Sequence, residues 1–289
     1  DNPTSKVACM TYTNAAVKEI EERVNHDNLN VTTIHDFLWD NIKHFQKELK
    51  STLVKLINDE NETKIKIDTE TVSPDYFDSL ENDIQYKEYL RLKEGIISHD
   101  ELLIVANSMF QSFPKLCDIL KDRYQFIFVD EYQDTHKEVI EIFLTQLNQS
   151  KKKNIIGFFG DAMQSIYPDG IGNLDDYKGE GVEKVKEVKK EQNRRNPKLV
   201  YELANRLRVN TDGLIQTHSD DNNAPNMSVG IVKDGNIKFA YSTDGNLQTF
   251  RDYLGWDFTD SKQTKELNLT HNLIAGKAGF MPFRLSLGY

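Results

Sequence analysis

Two uninterrupted apolar runs, each closed by acidic residues, constrain this chain more than any other feature. Phe126-Ile127-Phe128-Val129 runs directly into Asp130-Glu131, and Ile155-Ile156-Gly157-Phe158-Phe159 runs through Gly160 into Asp161. A run with no polar alternation suits a strand buried on both faces, as in a parallel sheet covered by helices. Helical stripes flank the first run: Leu102, Leu103, Val105, Ala106 and Met109 precede it, and Val139, Ile140, Phe143, Leu144 and Leu147 follow it. Strands alternating with helices of this length predict an α/β fold with a parallel sheet. Ligands of such sheets sit beyond the carboxyl ends of the strands, so the two acidic ends should share one crevice. Acids after strands also cap helices, and one isolated pair leaves both roles open.

The rest of the chain extends the pattern. Val7 to Tyr12 reads as a strand, and Thr13-Asn14 offers capping oxygens to a helix with Val17, Ile20 and Val24 at its spacing. Val31 to Thr33 is a second short strand leading through His35 into another helix. From Trp39 to Gly95 the chain turns to Lys, Glu, Asp and Asn with apolar residues at helical intervals, which predicts an inserted helical subdomain. Asn196-Pro197 suits a helix start, with Leu199, Val200, Leu203, Ala204 and Leu207 as the buried face. Asn210 to Ser228 reads as a linker, Val229–Val232 and Ile237–Tyr241 as a hairpin turning through Asp234-Gly235-Asn236, and Lys265 to Ala275 as the opening of a second α/β domain. The expected organisation is a first α/β domain over 1–38 and 98–209, a helical insertion over 39–97, and a linker with the start of a second domain over 210–289.

Composition narrows the function classes. With 38% hydrophobic and 28% charged residues the chain can bury a core, and its 36 basic against 46 acidic residues, net −10, exclude a histone-like binder while allowing a locally basic groove. No apolar run approaches the roughly 20 residues that cross a bilayer, and the polar start lacks a signal-peptide layout, so no membrane partner and a cytoplasmic location are expected. Cys9 and Cys117 are too few for a disulfide framework or a four-ligand zinc site. The chain has no GxGxxG, no HExxH and no Cys/His metal spacing.

The acid pair Asp130-Glu131 has the character of a Walker B site, where an Asp orients Mg²⁺ and the next Glu activates the attacking water. Around it the chain reads MTYTNAAVKEIEERV (Met10 to Val24), VTTIHDF (Val31 to Phe37), SHDELL (Ser98 to Leu103), FIFVDEYQDT (Phe126 to Thr135), GDAMQSIY (Gly160 to Tyr167) and EQNRRNP (Glu191 to Pro197). This series resembles, block by block and in order, the UvrD/Rep/PcrA family of superfamily 1 DNA helicases. The resemblance implies a RecA-like P-loop NTPase fold with ATP and Mg²⁺ as cofactors. It assigns Mg²⁺ to Asp130 and the general base to Glu131, gives Gln133 and Asp134 a link between the nucleotide and DNA sides, and puts Asp161 in the nucleotide site. Gln164 would sense the γ-phosphate, and Arg195 would stabilise charge on the transferring phosphoryl group. Tyr12, Thr13 and Asn14 fall in a block that touches single-stranded DNA, Thr33 and His35 in the next, and Tyr167 adds a further aromatic beside the strand.

The departures matter equally. No Gly-rich loop ending in Lys-Ser/Thr occurs; the Gly276-Lys277 pair lacks the hydroxyl residue and lies at the far end. Arg194 stands where the family has Tyr, and Pro168-Asp169-Gly170 replaces its Trp-Arg-Gly. With no initiating Met and an apolar pattern only beginning near Tyr289, the chain is expected to be a piece of a longer polypeptide, inactive alone for want of the phosphate loop. The resemblance implies that the parent is an ATP-dependent DNA helicase, 3′ to 5′, acting at single-stranded DNA and duplex junctions. The alternative is a UvrD-like DNA-sensing ATPase subunit, partnered with a nuclease in a repair or defence complex, that does not unwind.

Overall fold

The computed structural model describes residues 5–68, 71–181, 184–243 and 247–267, in two compact units, 1–189 and 190–289. In the first unit β1 (Val7–Thr11), β2 (Leu29–Thr33), β5 (Phe126–Asp130) and β6 (Ile155–Phe159) form one sheet in the order β2-β1-β5-β6, every pairing parallel. Helices α1 (Asn14–Arg23), α2 (Ile34–Ile42), α4 (His99–Ser112), α5 (Pro114–Arg123) and α6 (Lys137–Leu144) connect and cover the strands. The core lies on one face, where Ala8 and Met10 of β1 and Ile127 and Val129 of β5 meet Phe37, Leu38, Leu102 and Phe143 from the helices. Register aligns the carboxyl ends: Thr11 pairs with Thr33, Met10 with Val129, and Asp130 with Phe159. The α/β class with a parallel sheet is therefore observed, and the acidic ends share one edge.

Several expectations are corrected. The second apolar run is not buried on both faces, because β6 is an edge strand with Ile155 59% and Phe159 53% exposed. On that face Phe159 meets Phe128 edge-on at 5.5 Å, and a Cβ on Gly157 would stand 3.0 Å from the Phe128 ring. The helix expected before β5 is two, since Pro114 occupies the first turn of α5 and the chain bends at Phe113. The insertion holds one long helix, α3 (Gln46–Asn58), followed by turns and a short parallel pair, β3 (Gln85–Tyr86) with β4 (Ile96–Ile97).

The second unit contains β7 (Gln192–Asn193) parallel to β8 (Thr217–His218), α7 (Lys198–Arg208), the hairpin β9 (Met227–Ser228) with β10 (Ile231–Val232), and α8 (Gln248–Leu254). Helix α7 thus falls in this unit, ahead of the boundary expected after residue 209. Asn196 does not cap it: the cap position is Pro197, and the N–H groups of Lys198 and Leu199 donate to the carbonyls of Lys233 and Asp234 at 2.8 and 2.9 Å. Those carbonyls are therefore committed to the helix, and Ile237–Tyr241 forms no strand; the hairpin turns instead at Val229 and Gly230, both at positive φ (52° and 74°). The stripe expected to be buried on α7 is open, with Leu199, Leu203 and Leu207 exposed and Tyr201 and Arg208 buried. Lys184 to Lys190 is a largely exposed irregular segment. The opening of a second α/β domain from Lys265 lies almost wholly outside the described residues.

Candidate nucleotide and DNA site

The acid pair is built by the end of β5. Asp130 is its last residue and half-buried, and its carboxyl is pushed above the usual carboxylate range by burial and then by the neighbouring Glu131 charge. Among the described residues no basic side chain pairs with either acid. A carboxylate in that position gains most from a hard divalent cation, which takes oxygen ligands, so the pair fits Mg²⁺.

Glu131 leaves the strand in the left-handed region, φ 50° and ψ 45°, uncommon outside glycine. Its carboxylate accepts a hydrogen bond of 2.7 Å from Nε2 of Gln133, which is 1% exposed. The Oε1 of the same carboxamide accepts from the backbone N–H of Asp161 at 3.1 Å, so one buried side chain ties the end of β5 to the end of β6. Two glycines make room for it. A Cβ on Gly160 would stand 2.2 Å from Gln133 Oε1, and one on Gly170 would stand 2.5 Å from the Gln133 carbonyl oxygen. That carbonyl accepts from Gly172 N–H at 3.0 Å, which folds the loop after β6 back onto the β5 end.

Asp161 caps the short turn Ala162–Gln164: Oδ1 accepts from Met163 N–H at 3.1 Å and Oδ2 from Nε2 of Gln164 at 2.9 Å. Asp134 accepts from the N–H of Ile166 at 3.3 Å, and the next residue, Tyr167, lies with its ring 5.5 Å from that of Tyr12 at the end of β1. Thr13 caps α1, accepting from Ala16 N–H at 3.2 Å, and Asn14 is the first helical residue. Thr33 caps α2 in the same way, accepting from Asp36 N–H at 3.1 Å and donating to its carboxylate at 2.7 Å. His35 follows, with its ring 4.8 Å from that of His99. Burial, followed by His99 and His136, lowers its pKa to about 4 against the weaker pull of Asp36 and Asp100.

The first unit therefore brings together Asp130, Glu131, Gln133, Asp161 and Gln164, with Tyr12 beside Tyr167. Arg195 belongs to the second unit, exposed, with its N–H donating to Asn193 Oδ1 at 3.1 Å. Arg194 beside it pairs with Asp221 at 2.5 Å. Sequence reasoning gave no role to Gly160, Gly170, His99, whose ring is the neighbour of His35, or Tyr86, whose ring in turn adjoins His99. The glycines were visible only as letters, because the need for them arises from a contact between the ends of two strands.

An all-parallel sheet with an acid pair at one strand end and a glutamine-bearing turn at the next is the architecture of a RecA-like helicase domain. Residues 40–168 match the UvrD/REP helicase N-terminal domain, so this part of the chain is similar to UvrD-like helicases. It is 28% identical to the Gabija protein GajB of Bacillus cereus (strain HuB5-5), over 95% of this chain and 51% of that protein. A probable DNA helicase II homolog of Rickettsia felis is 26% identical over 56% of this chain and 31% of its own length. The ATP-dependent DNA helicase PcrA of Staphylococcus aureus is 30% identical over 44% and 17%. The chain thus spans about half, or less, of the length of these relatives.

Proposed function

We propose that the chain is part of an ATP-dependent DNA helicase in which hydrolysis drives movement along single-stranded DNA, with the 3′ to 5′ polarity of UvrD-like enzymes. One observation carries this reading: the buried Gln133 joins the acid pair to the β6 turn, and Asp134 in the same block holds the segment that brings Tyr167 against Tyr12. A change at the phosphate end therefore has a short covalent and hydrogen-bonded route to the aromatic pair.

In this reading Asp130 would hold Mg²⁺, and Glu131, aimed by Gln133, would take the proton of the attacking water. Bound Mg²⁺ would neutralise charge on the ATP phosphates. Gln164 would exchange its bond to Asp161 for one to the γ-phosphate, and Arg195 would stabilise charge on the transferring group. Tyr12 and Tyr167 offer stacking faces, while Thr13, Asn14, Thr33 and His35 supply polar groups at the same sheet edge. The 289 residues contain no Gly-Lys-Ser/Thr loop, so this chain alone should not turn over ATP.

The test is strand displacement and ATP hydrolysis by the longer polypeptide expected to contain this chain. Unwinding that depends on ATP, with turnover lowered about 10²- to 10⁴-fold in Glu131→Gln, is the expected outcome. Hydrolysis without displacement would replace helicase by a DNA-sensing ATPase, and robust hydrolysis by the 289 residues alone would overturn the assignment of turnover to a separate phosphate loop.

A further inference from the structure

Two rings meet where the insertion rejoins the first α/β domain: Tyr86, from the insertion, and His99, which lies in the Ser98 to Leu103 block but has no role assigned by the resemblance. Tyr86 ends β3, His99 opens α4, and the Tyr86 hydroxyl is hydrogen-bonded to Nδ1 of His99. The His99 ring lies 4.8 Å from His35 and 5.3 Å from Tyr86, and Tyr86 lies 6.0 Å from Trp39. Four rings thus cluster beside the start of α2, on which His35 and Trp39 lie one turn apart. They continue a line already begun, because Thr11 and Thr33 are paired, so Tyr12 and the segment of His35 leave neighbouring strands at the same edge. The His99 ring, 4.8 Å from that of His35, sets the start of α4 against the start of α2.

His99 is exposed, while Tyr86 and Trp39 are half-buried, each packing in part against the hydrophobic core and leaving the remainder of its ring open. Lys87 and, four residues on, Arg91 follow Tyr86; their cationic groups lie 5.8 and 5.2 Å from the exposed ring of Tyr89, and Arg91 also makes an exposed 3.4 Å pair with Glu94 that a phosphate could replace. Alternating rings and cations are what a sequence-tolerant single-strand surface requires: ring faces for bases and cations for phosphates.

We propose that Tyr86 and His99 extend the single-stranded DNA path beyond Thr33 and His35 onto the insertion, with Lys87 and Arg91 meeting the backbone. The inference rests on the reading of Tyr12, Thr33 and His35 as DNA contacts. A longer footprint follows from it, and footprint is a property that a merely structural role for these rings would leave unchanged.

The experiment measures binding of fluorescein-labelled oligo-dT of increasing length, about 4 to 20 nucleotides, by anisotropy with the 289-residue protein. The Tyr86→Ala/His99→Ala double variant should weaken binding of the longest strand about 10-fold, leave the shortest unchanged, and shift the length at which affinity levels off to a smaller value. Tyr86→Phe and His99→Phe keep the rings and should bind normally, which separates loss of stacking from loss of folding. Wild-type affinity and an unchanged length dependence in the double variant, with Tyr12→Ala still weakened, would overturn this inference alone. No binding of dT by the wild type would overturn it together with the DNA reading of the site.

Discussion

Glu131 is held in the left-handed backbone region by a short peptide turn and one buried amide, and Gln133 in turn fits only because residues 160 and 170 lack side chains. Gly170→Ala would press a methyl against the Gln133 carbonyl and the Asp134 Cα, both backbone atoms with little room to move. The expected cost is about 1–3 kcal/mol, read as a lower urea midpoint. Asp130 gives the opposite sign. Its carboxyl is raised by burial and Glu131, so the folded state disfavours the ionised form, and that disadvantage appears as pH rises through its folded pKa. Asp130→Asn should therefore raise the melting temperature at neutral pH, while added Mg²⁺ should stabilise the wild type more than the variant. His35 has a folded pKa lowered to about 4 from an ordinary 6.5. The unfolded chain then binds more protons between those values, so stability is full above about 6.5 and falls as pH drops towards 4. His35→Gln should flatten that slope in melts taken from pH 4 to 7. The acid pair was legible as residues; the αL turn and the glycine contacts were not, because they exist only once β5 and β6 lie side by side.

At the scale of elements, local signals decided most of the helix starts in the first unit. Thr13 was readable as a cap because a hydroxyl before a helix satisfies an orphan N–H; Thr33, read only as the end of a strand, caps α2 in the same way, and Ser98 with Glu101 closes a capping box on α4. Thr33→Ala should cost about 1 kcal/mol, measured by chemical denaturation, through the lost cap of α2. The same logic failed at Asn196, because carbonyls distant in sequence, at Lys233 and Asp234, reach the first N–H groups of α7. It failed again for β6, whose apolar run carries no information about whether a neighbour strand lies on its outer side.

At the scale of the molecule, the chain divides at the exposed segment before Lys190. Brief trypsin treatment should cut first among Lys184, Lys186, Lys189 and Lys190, leaving a fragment near residues 1–189 that persists because its core is continuous. Mass spectrometry of the early digest checks this, and a first cut inside β5 or α6 would contradict the division. The sequence by itself determined the α/β class, the parallel strands and the order of the helicase-like blocks, because periodicity and residue chemistry are local and survive without a fold. The tertiary structure alone decided which residues meet: the Gln133 bridge between strand ends, the Tyr12–Tyr167 pair and the ring line through His99 and Tyr86. Those contacts join segments far apart in the chain, and only sheet register and loop path bring them within bonding distance.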